Sequence, residues 1–168
     1  MKTLTILRHA KSSWNEPGLA DFDRPLNERG QRDAPEMGDR MKAADIRPSL
    51  IVSSPAVRAW TTAKLVAAEL NYPPEFLQRE SDLYHAGTSQ LFDVIARQDE
   101  GFNSIVVVGH NPGLTDLANA LVPGLTSNLP TSGYVSVLID TETWDIRGRK
   151  SADLLHHDYP KRLKKKKD

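Results

Sequence analysis

The sequence contains no cysteine. Disulfides, thiolate metal sites and cysteine nucleophiles are therefore excluded. No apolar run approaches the roughly 20 residues that span a bilayer as a helix. The N-terminus reads as a strand rather than the apolar core of a signal peptide, so a cytoplasmic location is expected. There is no G-x-x-x-x-G-K-[ST] loop for nucleotide phosphates and no G-x-S-x-G elbow for an acyl hydrolase. No H-E-x-x-H pattern supports a metal. The adjacent pair His156-His157 would point to opposite faces of a strand, so no metal is expected there. Excess charge of one sign is also missing, with 22 basic and 22 acidic residues in 168. That balance hides an asymmetry. Six of the basic groups lie in KRLKKKKD, residues 161–168, while residues 1–160 carry 16 basic and 21 acidic groups. This tail reads as a solvated, disordered end, and neither nucleic acid nor a membrane is expected as a partner.

What is present alternates between strand and helix. TLTILR (3–8), SLIVS (49–53) and SIVVVGH (104–110) are apolar runs suited to strands buried on both faces. Asn27 can cap a helix from Glu28 to about Ala44, which Pro35 must kink or delay. Ser54-Pro55 and Asn111-Pro112 each read as a cap followed by proline at the first helical position. Their helices run to about Leu70 and Leu121. A further helix is expected from Thr88 or Ser89 to about Gln98, and EFLQ is a candidate short strand. At the end, GYVSVLID and WDIRG read as two strands around a tight turn. The pattern predicts one three-layer α/β/α domain over residues 1–160, with a mostly parallel sheet and an antiparallel edge. A monomer is favoured.

Ligands of such sheets bind outside the carboxyl ends of the strands. The first strand ends in Arg8-His9. The second opens a helix carrying Arg58. The third ends in Gly109-His110. Two arginines and two histidines thus converge on one sheet edge, beside two helix N-termini, with no acidic residue in these three stretches. The set suits a phosphate dianion. Arginine cannot act as a base at neutral pH, so Arg8 and Arg58 are expected to clamp phosphoryl oxygens. One histidine can attack phosphorus while the other stabilises the transferring group.

LRHAKSSW resembles the first, Arg-His-Gly motif of the histidine phosphatase superfamily, with its phosphoglycerate mutase-like fold. SSPAVRAWTTA is similar to the second motif and VVVGHNPG to the third. The resemblance implies that His9 is the nucleophile and that Arg8, Arg58 and His110 complete the phosphate pocket. Arg24, in DFDRPLNERG, matches a further arginine of the small SixA-type branch, which includes protein phosphohistidine phosphatases. Only 52 positions separate Arg58 from His110, too few for the insertion of larger members. That length disfavours a mutase.

Two departures stand out. Ala10 replaces the family's glycine. The general acid of larger members, a Glu in a Gly-Trp-Glu-Gly-like context, has no counterpart. Asp82 in RESDLYHAG is the nearest positional match, Glu80 the second and Asp21 a third. Imidazole leaves phosphohistidine far more readily than an alkoxide leaves a phosphoester, so this gap favours phosphoramidate substrates. Lys11, Ser12 and Asn111 are candidate substrate-binding residues, while Ser13 and Trp14 read as the start of a long loop. The expected function is a metal- and cofactor-independent phosphatase acting through phospho-His9 on phosphohistidine proteins. The alternatives are a small-molecule phosphomonoesterase and a non-catalytic phosphate- or phosphoprotein-binding module.

Overall fold

A computed structural model describes residues 1–148 and 152–162. Most of the basic tail, residues 163–168, lies outside the described residues. Six strands form one sheet: β1 (Lys2–Arg8), β2 (Leu50–Ser53), β3 (Gln78–Arg79), β4 (Ser104–Gly109), β5 (Tyr134–Ile139) and β6 (Asp153–Asp158). Their spatial order is β3-β2-β4-β1-β5-β6. The first four are mutually parallel, whereas β5 runs antiparallel to both β1 and β6. The helices are α1 (Glu28–Ala43), α2 (Val57–Glu69), α3 (Thr88–Ala96) and α4 (Gly113–Leu121). This is an α/β fold of the phosphoglycerate mutase-like type.

The central strands have two cores to fill, and their residues alternate between them. Leu4 and Ile6 of β1, with Ile105 and Val107 of β4, pack with Leu91, Ile95, Leu114 and Leu117 of α3 and α4. Leu7, Val106 and Val108 face the other way, towards Met37 and Met41 of α1 and Ala59, Ala63 and Val66 of α2. This period-two alternation explains why a strand covered on both sides is apolar throughout. Register aligns the strand ends: Arg8 lies opposite Gly109, and Ser53 opposite Val108.

One local reading is narrowed and two are corrected. Asn27 caps α1 as expected, accepting from the Gly30 N–H at 2.8 Å, but Pro35 is held inside the helix and does not delay its start. α2 begins at Val57 rather than at Pro55. Ser54 Oγ accepts the Ala56 N–H at 3.2 Å, so the serine closes a turn ahead of the helix. The partner of β5 is Asp153–Asp158, not WDIRG. Trp144 and Ile146 are instead buried in the α3/α4-side core, with the indole N–H donating to the Phe102 carbonyl at 2.9 Å. Their alternation reflects burial of a loop and not sheet pairing.

Candidate active site

The aligned ends of β1, β2 and β4 bring the four principal residues together. The His9 and His110 ring centroids lie 5.2 Å apart. Arg8, His9, Lys11, Ser12, Trp14, Arg24, Arg58 and Thr131 line a pocket of about 210 Å³. Ala10, in place of the family's glycine, is fully buried, and its N–H donates to Thr62 Oγ1 at 2.9 Å.

His9 is 7% exposed. Its Nδ1 lies 2.7 Å from the Ala10 carbonyl oxygen, which can only accept. The proton therefore sits on Nδ1, and Nε2 keeps its lone pair. Burial lowers the His9 pKa to about 4, with Arg58, Arg8 and Arg24 adding to the effect against the raising influence of the Ala10 carbonyl. The ring is thus neutral over the ordinary pH range, with Nε2 unprotonated.

His110 is held from β2. Its Nε2 lies 2.8 Å from Ser54 Oγ. Ser54 Oγ accepts the Ala56 N–H and can give its own proton to His110 Nε2. Nδ1 then carries the imidazole proton, and this buried atom has no partner among the described residues. Burial, followed by the neighbouring His9 and Arg58, lowers the His110 pKa to about 3.

The arginines differ in how far they are engaged. Arg8 donates to the Leu129 carbonyl at 2.9 Å, while its buried Nε has no partner among the described residues. Arg58 donates twice to Asp21, to the carbonyl at 2.7 Å and to Oδ2 at 3.0 Å. Arg24 donates to Asp21 Oδ1 at 2.8 Å, to Ser12 Oγ and to the Ser13 carbonyl at 3.1 Å. Its guanidinium also stacks 3.4 Å from the centre of the Trp14 ring.

Asp21 is therefore the carboxylate of this site. The Tyr84 hydroxyl donates to Oδ2 at 2.6 Å. That bond, followed by those from Arg24 and Arg58, holds the Asp21 carboxyl well below its usual range. Asp21 is ionised and positions arginines; it has no proton to donate. Asp82, expected as the general acid, is placed elsewhere. Its side chain is 57% exposed and pairs with Arg97 at 3.1 Å. Glu80 accepts the Asp82 N–H and faces the same arginine at 3.3 Å.

Asn111 also departs from expectation. Its Oδ1 accepts from the Thr115 N–H and hydroxyl, and its Nδ2 donates to Leu129 O and Asn128 Oδ1. These bonds tie the start of α4 to the loop whose Leu129 carbonyl receives Arg8, so Asn111 positions rather than binds. Ser12 orients Arg24, and exposed Lys11 lines the pocket. Trp14 is a wall of the site and not merely the start of a loop.

Tyr84 was not legible as a site residue, because no periodicity or motif marks it. Gly113 makes room for it. A Cβ on Gly113 would stand 2.1 Å from the Ala86 carbonyl oxygen. The missing side chain lets the 84–86 loop close on the start of α4, where Tyr84 meets the His110 ring edge-on at 5.5 Å.

Comparison with known proteins bears on the family and the fold. The model of the histidine phosphatase superfamily (branch 1) matches residues 4–85. An uncharacterized protein of Mycobacterium tuberculosis is 31% identical over 148 residues, which cover 82% of this chain and 89% of that protein. A crystal structure from Agrobacterium tumefaciens, provisionally named phosphohistidine phosphatase SixA, superposes with a TM-score of 0.80. It is 30% identical, with 95% of this chain and 98% of that one covered. The protein histidine phosphatase SixA complexed with tungstate shares the fold at a TM-score of 0.76 and 24% identity, covering 96% and 99% of the two chains.

Proposed function

Because this chain belongs to the histidine phosphatase superfamily, we propose that it is a metal-independent phosphatase that carries the phosphoryl group on His9 Nε2. We propose phosphohistidine-bearing proteins as its substrates. The observation that carries the first part is the His9 Nδ1–H bond to the Ala10 carbonyl, which leaves Nε2 free inside a ring of guanidinium groups. Those cations suit a phosphate and repel a metal ion.

In the first step the Nε2 lone pair bonds to phosphorus as the substrate's P–N bond breaks. The departing imidazole keeps that electron pair and leaves neutral when its other nitrogen already bears a proton. Arg8, Arg58 and Arg24 balance the charge on the phosphoryl oxygens, and His110 Nδ1–H donates to one of them. Phospho-His9 gains positive character, which the Nδ1–H bond to Ala10 O stabilises. Water then attacks phosphorus, the N–P bond breaks, and inorganic phosphate leaves with neutral His9 restored.

Two observations support the substrate. The carboxylate bonded to the pocket arginines is ionised Asp21, which suits a leaving group that needs no strong acid. Trp14, at the pocket mouth, is 76% exposed, a large aromatic surface available to a protein partner. The test compares phosphate release from a phosphohistidine protein with release from a phosphomonoester, using wild type and His9→Ala. Faster turnover of the phosphohistidine protein, lost in His9→Ala, is expected. Preferential hydrolysis of the ester would overturn the substrate class, and an active His9→Ala would overturn the mechanism.

A further inference from the structure

A second cleft of about 330 Å³ opens beside the phosphate pocket and shares Arg8, Lys11 and Thr131 with it. It continues past Arg29 in the first turn of α1 to Tyr159 and Lys161 beyond β6. Four of its lining residues are cationic and none is acidic, although residues 1–160 are net acidic. This concentration of positive charge runs against the trend of the chain.

Backbone packing sets Lys11 beside Arg29. The Lys11 carbonyl accepts the Asn27 N–H at 3.0 Å, and a Cβ on Gly30 would stand 2.2 Å from that same oxygen. The absence of a side chain at residue 30 thus lets the Lys11 loop lie against the start of α1, beside Arg29. Arg29 is partly balanced by buried Asp33 at 3.5 Å. Lys11 and Lys161 are exposed, and no carboxylate among the described residues pairs with either.

We propose that this cleft binds an acidic segment flanking the phosphorylated residue of a protein substrate. The proposal rests on the reading of His9 as a phosphohistidine-protein phosphatase. A phosphoryl group between Arg8 and His9 would direct the adjoining chain either over Trp14 or into the cleft that begins at Arg8 and Lys11. An extended segment entering the cleft meets Lys11, Arg29 and Lys161 from three separate parts of the fold. Lys11 also lines the phosphate pocket and acts on any phosphorylated substrate, so the preference comes from Arg29 and Lys161, each exposed charge pair contributing about threefold in kcat/KM and the two together about tenfold.

The test uses a phosphohistidine peptide flanked by aspartates and its asparagine counterpart. Wild type is expected to favour the aspartate peptide by about tenfold in kcat/KM at low salt, less at high salt. Arg29→Gln/Lys161→Gln should reduce the ratio to near one while leaving turnover of a small phosphoramidate unchanged. Lys161→Gln alone, which leaves the Arg29–Asp33 pair intact, should lower the ratio about threefold. Equal rates on the two peptides in wild type, or a ratio that survives both substitutions, would overturn the subsite and leave the phosphatase reading standing. A charge preference confined to small phosphorylated carboxylates would also overturn it. Failure to turn over any phosphoramidate would overturn the phosphatase reading itself, and the subsite with it.

Discussion

Two ends of the same sheet gather similar side chains and put them to opposite uses. At the β6 edge, Asp158 accepts from Arg40 at 3.3 Å and from Arg162 at 2.8 Å. Arg40 also donates to the Tyr159 and Pro160 carbonyls. These groups tie the last strand to α1. At the carboxyl ends of β1, β2 and β4, three arginines and two neutral histidines surround one carboxylate, Asp21. Orphaned atoms alone do not separate the two regions, since among the described residues His157 Nε2 near β6 is as unpartnered as Arg8 Nε or His110 Nδ1. The difference is the surplus of cationic donors converging on one volume. A satisfied network fixes a fold, and a surplus selects a ligand.

Substitutions can break this contrast. Arg58→Ala should have the largest effect, lowering kcat/KM about 10³-fold, because in the proposed mechanism it removes charge that balances the transferring phosphoryl group. Steady-state kinetics with a phosphoramidate would show it. Asp21→Asn should lower kcat/KM about tenfold by loosening Arg58 and Arg24, with little change in unfolding free energy. Asp158→Asn should do the reverse, leaving turnover intact and costing about 1–3 kcal/mol in denaturant unfolding. Asp82→Asn should be the mildest, within about 0.5 kcal/mol of wild type in stability, because its ion pair is exposed. A large loss of turnover in Asp82→Asn would return Asp82 to the catalytic role expected from its position.

The pH dependence sharpens the same distinction. His9 and His110 have folded-state pKa values of about 4 and about 3, below the ordinary value near 6.5. Their neutral forms are favoured by the fold. The stability linked to them is fully present above pH ~6.5 and is lost as pH falls through the folded values. NMR titration of the imidazole carbons should place the His9 midpoint near 4. A midpoint near 6.5 would contradict the buried, arginine-flanked setting described for it.

The sequence revealed most of the parallel half of the fold and the four principal site residues. Continuous apolar runs marked β1, β2 and β4, and their in-register ends brought Arg8, His9, Arg58 and His110 together. The rest depended on packing that a linear pattern does not carry. Trp144 and Ile146 alternate like a strand yet are buried in a loop. Asp82 occupied the right place in the order of motifs, but Arg97 holds its side chain at the surface. Asp21 entered the site because a single turn at Asp21–Asp23 sets its carboxylate against Arg58 and Tyr84. Tyr84 followed from a close approach at Gly113 that only the folded chain displays.

The central claim is that phosphorus bonds to His9 Nε2. Brief exposure to a phosphoramidate followed by rapid alkaline quench and peptide mapping tests it directly. The account predicts an acid-labile, alkali-stable phosphoryl group on the peptide containing His9, absent from His9→Ala. Turnover at the wild-type rate with no phosphoryl group on that peptide, or equal labelling of His9→Ala, would contradict it.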